Sequence, residues 1–178
     1  FSSSMSYQIE ALISAICEWS DDTQFSRSRF AIDAVAIDNT GIGYRRKITD
    51  FTDAVTACAK LHEFYTSGIT TVGSEFVAYS MLQSFKDEYH WPTELDKKII
   101  MFTDEPYQGD PRNIISDDVS LISMCNSNPD AELGFFINTY YQSSWQSMID
   151  GCGVWVEDLG YDTRSMLYAL NKRFRGEC

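Results

Sequence analysis

A chain of 178 residues that is 44% apolar, 22% charged and 14% aromatic has the length of one domain, expected over residues 1–178, and a composition far from the disordered and collagenous classes. Its 14 Lys and Arg stand against 26 Asp and Glu, a net charge of −12 that repels phosphate backbones and anionic lipid and argues against nucleic acid as a partner. The longest apolar stretches, such as Ile99 to Phe102, fall far short of the roughly 20 residues that cross a bilayer, so direct membrane insertion is not expected.

The opening FSSSMSYQ has neither a charged start nor an apolar h-region, and no targeting segment is visible in it. Ile9, Leu12, Ile13 and Ile16 then recur at helical spacing and predict a first helix from Met5 to Trp19, followed by the polar break SDDTQFSRS. The short apolar run Phe30 to Ile37, bounded by Asp38, Asn39, Thr40 and Gly41, suits a buried strand, and Tyr44 to Ile48 an edge strand. Phe51, Val55, Cys58, His62 and Tyr65 fall on one helical face that closes at Ser67-Gly68, and a further helix is expected from about Ser74 to Tyr89, ended by Trp91-Pro92.

Lys98 to Thr103 reads as a fully buried strand that leaves through the acidic loop Asp104 to Pro111. Helical spacing returns at Ile115, Val119 and Ile122; Leu133 to Ile137 is a strand, Ser143 to Met148 a short helix, and Val154 to Val156 a last strand. Thr163, Leu167, Leu170 and Phe174 mark a final helix. Strands alternating with helices predict an α/β fold, a doubly wound and mostly parallel central sheet flanked by helices on both faces.

Several tempting residues have plainer readings. His62, on the apolar stripe of its helix, is expected to pack in the core, and His90 to sit at a helix end. Cys58 and His62, four residues apart, could suggest a nucleophile and base, but no third orienting residue is identifiable. Tyr140, Tyr141 and Trp145 could form a binding platform, yet aromatic residues at this spacing are more often core, while Asp21-Asp22 and Asp117-Asp118 read as solvated helix-terminal charges. The five cysteines contain no CxxC pair and no zinc-ligand spacing. Buried free thiols in a reducing compartment and one or two disulfides in an oxidising one both remain open; Cys178, in a terminal RGEC, favours the second.

Ligands of a doubly wound sheet bind outside the carboxyl ends of its strands. Three segments arrive there: Phe1-Ser2-Ser3-Ser4-Met5 before the first helix, the loop Gly68 to Gly73, and Thr103-Asp104-Glu105-Pro106 leaving the buried strand. They offer hydroxyls and carboxylates, oxygen donors suited to Mg²⁺, Mn²⁺ or Ca²⁺. In order, spacing and surrounding pattern this resembles the von Willebrand factor type A domain, including the inserted domains of integrins, with its metal-ion-dependent adhesion site. Ser2, Ser4 and Met5 look like the S-x-S-M part of its motif, Thr70 like its threonine and Thr103-Asp104 like its T-D pair. The resemblance spans nearly the whole chain.

It implies that Ser2 and Ser4 are direct hydroxyl ligands, that Thr70 joins in one coordination state, and that Asp104 acts directly or through water. The motif's leading aspartate would lie directly before Phe1, and the first, central strand would be absent from the chain, to be supplied by an upstream segment or a partner chain. Glu105 stands where the family usually has Gly, adding a carboxylate beside the site. Cys125 and Cys152 both precede predicted strands and are expected to be close and bonded, and Cys17 with Cys178 is the next pair, because the first and last helices share a face in the resembled fold. In integrin relatives the final helix shifts when the metal site changes state, and a bond at Cys178 would oppose that.

The function implied is non-enzymatic: an extracellular or cell-surface adhesion or protein-binding domain that recognises a partner's Asp or Glu carboxylate through a divalent cation. The alternative is a structural or assembly module of a surface complex with a degenerate metal site. An intracellular co-chaperone or metal-chelatase-type subunit would suit free thiols. A hydrolase fits least, since no nucleophile elbow, phosphate loop or paired-histidine motif occurs.

Overall fold

The computed structural model describes residues 5–37, 43–67, 96–107 and 117–176. Two compact units divide the chain: one of Phe1–Ala36, Arg45–Val72 and Gly160–Cys178, the other of Ile37–Tyr44 and Gly73–Leu159. The expected helix at Ser74 to Tyr89, His90 and the loop from Gly68 to Gly73 lie outside the described residues. Among the described residues no helix is long and apolar enough to cross a membrane.

The first unit is built on helix α1 (Ser6–Ser20), followed by a 3-10 turn (Thr23–Phe25), the paired strands β1 (Phe30–Ile37) and β2 (Gly43–Thr52), α2 (Ala54–Thr66), and the last helix α5 (Thr163–Arg175). Strand β2 runs four residues beyond the expected edge strand, taking in Phe51, which the sequence reading put on the helix. Helix α1 packs against both α2 and α5. Its Ile9, Ile13 and Ile16 are buried as expected, and the small side chains of Ala11 and Ala15 are fully buried, which lets neighbouring helices approach closely. Trp19 closes the end of this core: its ring stacks on Phe25 at 4.8 Å, meets Phe174 edge-on at 5.5 Å, and its indole N–H donates to Asn171 Oδ1 at 3.1 Å.

At the other end of α1, Glu10 gathers all three helices. Its carboxylate accepts from the Tyr65 hydroxyl of α2 at 3.0 Å and from the Thr163 hydroxyl of α5 at 3.3 Å. Loss of solvent first, and then the bond to the Glu10 carboxylate and its charge, raise the Tyr65 phenol above its ordinary value. Asp22, read as a solvated charge, instead caps the 3-10 turn through Gln24 N–H and pairs with Arg175 at 3.0 Å.

The α2 face is a correction. Ala54, Ala57, Leu61 and Phe64 are buried, whereas His62 is exposed and Val55 is 63% exposed. Both stripes have helical spacing and lie one residue apart, about 100° around the helix, and the Ala/Leu/Phe stripe wins because it is apolar throughout. Two helix starts follow side-chain acceptors. Asp53 caps α2 and Asp162 caps α5, and the backbone N–H and hydroxyl of Thr56 and of Ser165 hold these carboxyls below their ordinary 3.8.

The second unit holds a three-stranded parallel sheet in the order β3-β4-β5: β3 (Lys97–Thr103), β4 (Ala131–Ile137) and β5 (Trp155–Asp158). Helix α3 (Asp117–Ser127) links β3 to β4; a 3-10 segment (Thr139–Trp145) and helix α4 (Gln146–Cys152) link β4 to β5. Parallel neighbours require such crossovers, and the α/β architecture read from the sequence is the one observed. On α3, Leu121 and Cys125 are buried but Val119 is 58% exposed, so the core face lies to one side of the one expected.

Strand β4 is central, and its period-2 alternation feeds two cores. Phe135 faces Trp145 at 5.8 Å, while Phe136 stacks on Phe102 at 5.0 Å and meets Trp155 edge-on at 5.5 Å. Both phenylalanines are fully buried, as a strand covered on both faces demands. Gly134 makes room for Trp155: a Cβ there would lie 1.8 Å from Trp155 Cζ2, and the indole is fixed by its N–H bond to Glu132 at 2.8 Å. Gly134→Ala is therefore expected to lose about 3 kcal/mol, and Trp155→Ala in the same chain to recover part of that loss. Urea unfolding of the two single variants and the double variant checks this, and additive losses would refute the clash.

Cys125 and Cys152 are bonded, tying α3 to α4, as the sequence reading expected. Cys17 is bonded to Cys58, with Cα atoms 5.0 Å apart, which overturns its expected pairing with Cys178. Helices α1 and α5 do pack together, but the α1 turn that carries Cys17 faces α2.

Candidate functional site

Of the expected ligands Ser2, Ser4, Thr70 and Asp104, only Asp104 falls among the described residues. It stands immediately after β3, at the carboxyl edge of the parallel sheet, and is half-buried. The residue before it, Thr103, is 1% exposed, and its hydroxyl accepts from the Glu105 N–H at 3.1 Å, turning the chain out of the strand.

Two further bonds hold the loop against the 3-10 segment after β4. The Trp145 indole N–H donates to the Glu105 carbonyl at 3.1 Å, and the Tyr107 N–H donates to the Ser144 hydroxyl at 2.9 Å. The Ser144 hydroxyl donates in turn to the Tyr141 carbonyl at 2.7 Å. Trp145 is 1% exposed, the core residue expected, whereas Tyr140 is 82% exposed and so is not.

Among the described residues two buried side-chain atoms lack a hydrogen-bond partner: Asp104 Oδ1 and Gln8 Oε1. Gln8 still donates through Nε2 to the Gly160 carbonyl at 2.7 Å. A carboxyl oxygen buried without a hydrogen-bond partner is costly. A hydrogen-bond donor, a water or a cation would satisfy such an atom, and an aspartate oxygen is a hard donor of the type Mg²⁺, Mn²⁺ and Ca²⁺ take. No group of three or more His, Cys, Asp and Glu among the described residues could hold a metal ion; the expected set differs in kind, being mostly hydroxyls.

The Cys58 and His62 dyad is excluded as a nucleophile and base. Cys58 is in a disulfide and has no thiol, and His62 is exposed. The sequence reading weighed Tyr140, Tyr141 and Trp145 together as a platform and favoured core; that holds for Trp145 and not for the exposed Tyr140. The signal was Asn138, whose side chain accepts from the Tyr140 N–H at 2.9 Å and starts the 3-10 segment, so that Tyr140 lies in its first turn and faces solvent.

No family model matches the sequence, and no curated protein matches it. Among solved structures the chain matches a von Willebrand factor type A protein from Catenulispora acidiphila with a TM-score of 0.57 at 12% identity, over 97% of this chain and 39% of that one. The chain has the von Willebrand factor type A fold. It spans about two fifths of the length of that solved protein. Within the type A fold of this chain, the T-D pair read from the sequence ends β3 and carries the orphaned carboxylate oxygen.

Proposed function

We propose that the protein is a non-enzymatic adhesion or protein-binding domain that recognises an Asp or Glu carboxylate of a partner protein through a divalent cation, Mg²⁺, Mn²⁺ or Ca²⁺. Ser2, Ser4, Thr70 and Asp104 would hold the cation. The observation that carries the reading is the buried, unpartnered Oδ1 of Asp104 at the carboxyl end of β3. Bound there, the cation would supply positive charge that a ligand set of mostly neutral hydroxyls leaves under-neutralised, and so attract an anionic group from outside. The two disulfides, Cys17–Cys58 and Cys125–Cys152, support an extracellular or cell-surface location and weigh against the intracellular co-chaperone and chelatase classes.

Calorimetric titration with Mg²⁺ and Mn²⁺, followed by binding of a carboxylate-bearing peptide with and without chelator, tests the proposal. Asp104→Ala is expected to weaken cation binding by roughly tenfold or more. Thr70→Ala should weaken peptide binding and leave the unfolding midpoint unchanged. Peptide binding that ignores chelator and both substitutions would eliminate the adhesion-site mechanism and favour a structural module with a degenerate metal site.

A further inference from the structure

The carboxyl edge of the β3-β4-β5 sheet carries a feature that cation binding does not use. Strand β4 ends at Ile137, and Tyr140 and Tyr141 follow as an edge-to-face pair with ring centroids 5.0 Å apart. Tyr140 is 82% exposed on a well-fixed base. The Asn138 side chain caps one end of its 3-10 segment, and buried Trp145, bonded to the Glu105 carbonyl, anchors the other. An aromatic surface held at both ends loses little freedom on binding.

Its surroundings are anionic. Thr103, Ile137 and Asp158 share one register row, so the Asp104-Glu105 loop leaves on one side of the central strand and β5 finishes in Glu157-Asp158 on the other. The described cations of this unit, Lys97 and Lys98, stand at the opposite end of β3, where Lys98 pairs with Glu132. Counted by unit, the one containing this sheet has 4 Lys and Arg against 16 Asp and Glu, while the other has 10 against 10. The whole net charge of −12 therefore belongs to the unit that bears the tyrosine pair.

From this juxtaposition we infer that Tyr140 and Tyr141 form a docking ledge for an arginine-bearing, cationic segment of a partner protein. A guanidinium stacks on an aromatic face and is only weakly hydrated, so it gains from the ring while the flanking carboxylates supply the field that draws it in. Lysine, a compact and strongly hydrated charge, gains less from the ring. The ledge needs only residues of the second unit and no metal ion, so it stands independently of the adhesion-site reading.

The test is a fluorescence titration of the protein, in chelator, with short labelled peptides of alternating Arg and Gly, Lys and Gly, or Glu and Gly, at low and high salt. The Arg peptide is expected to bind more tightly than the Lys peptide and the Glu peptide not to bind, with high salt weakening the Arg peptide. Tyr140→Ala should weaken the Arg peptide about three- to fivefold, Tyr140→Phe should leave it nearly unchanged, and neither should move the unfolding midpoint. Asp158→Asn should weaken both cationic peptides alike. Equal binding of the Arg peptide by the wild type and Tyr140→Ala, or equal binding of the Arg and Lys peptides, would overturn the ledge. Because chelator is present throughout, failure of the cation reading leaves this outcome untouched.

Discussion

Replacing Cys17 and Cys58 together by alanine is expected to destabilise the protein by about 4 kcal/mol, and replacing Cys125 and Cys152 by about 3.5 kcal/mol. The figures follow from the loss of chain entropy in the unfolded state, which grows with the logarithm of the loop closed, here by sequence separations of 41 and 27 residues. Each loss is a large share of the 5 to 15 kcal/mol that folded domains typically have. The two bonds act in different units, so hydrogen exchange should quicken in α1 and α2 for the first pair and in α3 and α4 for the second. Urea unfolding of the two double variants checks the magnitudes. Losses below about 1 kcal/mol in both would show that the unfolded chain is already restricted without the bonds.

The helix and strand periods of the sequence were legible because each element buries a continuous apolar set. β1 was read with its observed bounds, and α1, β3 and α5 to within a residue at each end. Orientation about the helix axis was harder. On α2 the stripe of Val55, Cys58, His62 and Tyr65 competes with that of Ala54, Ala57, Leu61 and Phe64 at the same spacing, and the second is buried because it alone is apolar throughout.

The cysteines show the same division. Cys125 and Cys152 lie at the ends of α3 and α4, just before successive parallel strands, and topology alone brings them together. The partner of Cys17 depended on which way one turn of α1 faces, which neighbouring helix packing does not specify. At the site, Asp104 was legible because T-D directly follows the apolar run of β3. The tyrosine pair was not, because an exposed Tyr140 and a buried Trp145 are alike to a hydrophobic count and are told apart only by the cap at Asn138 and the acceptor at Glu105.

Trp145 is the residue on which fold and site depend together. Trp145→Ala is expected to cost about 3 to 5 kcal/mol, since the indole is 1% exposed and packs edge-on against Phe135 at 5.8 Å and Tyr107 at 5.4 Å. Trp145→Phe keeps part of that packing but removes one ring of the indole and the donor to the Glu105 carbonyl, an expected loss of about 1 to 2 kcal/mol, smaller than that of Trp145→Ala. Its acceptor, the Glu105 carbonyl, is one residue from Asp104, on a loop otherwise tied to the same segment through Tyr107 and Ser144. If the bond positions the Asp104 carboxylate, Trp145→Phe should weaken Mn²⁺ binding several-fold, beyond what its small stability loss explains, and Trp145→Ala should weaken it further. Urea unfolding and a Mn²⁺ titration on the same samples separate the two effects. Wild-type Mn²⁺ affinity in Trp145→Phe would show that Thr103 and the end of β3 position Asp104 without help from the indole.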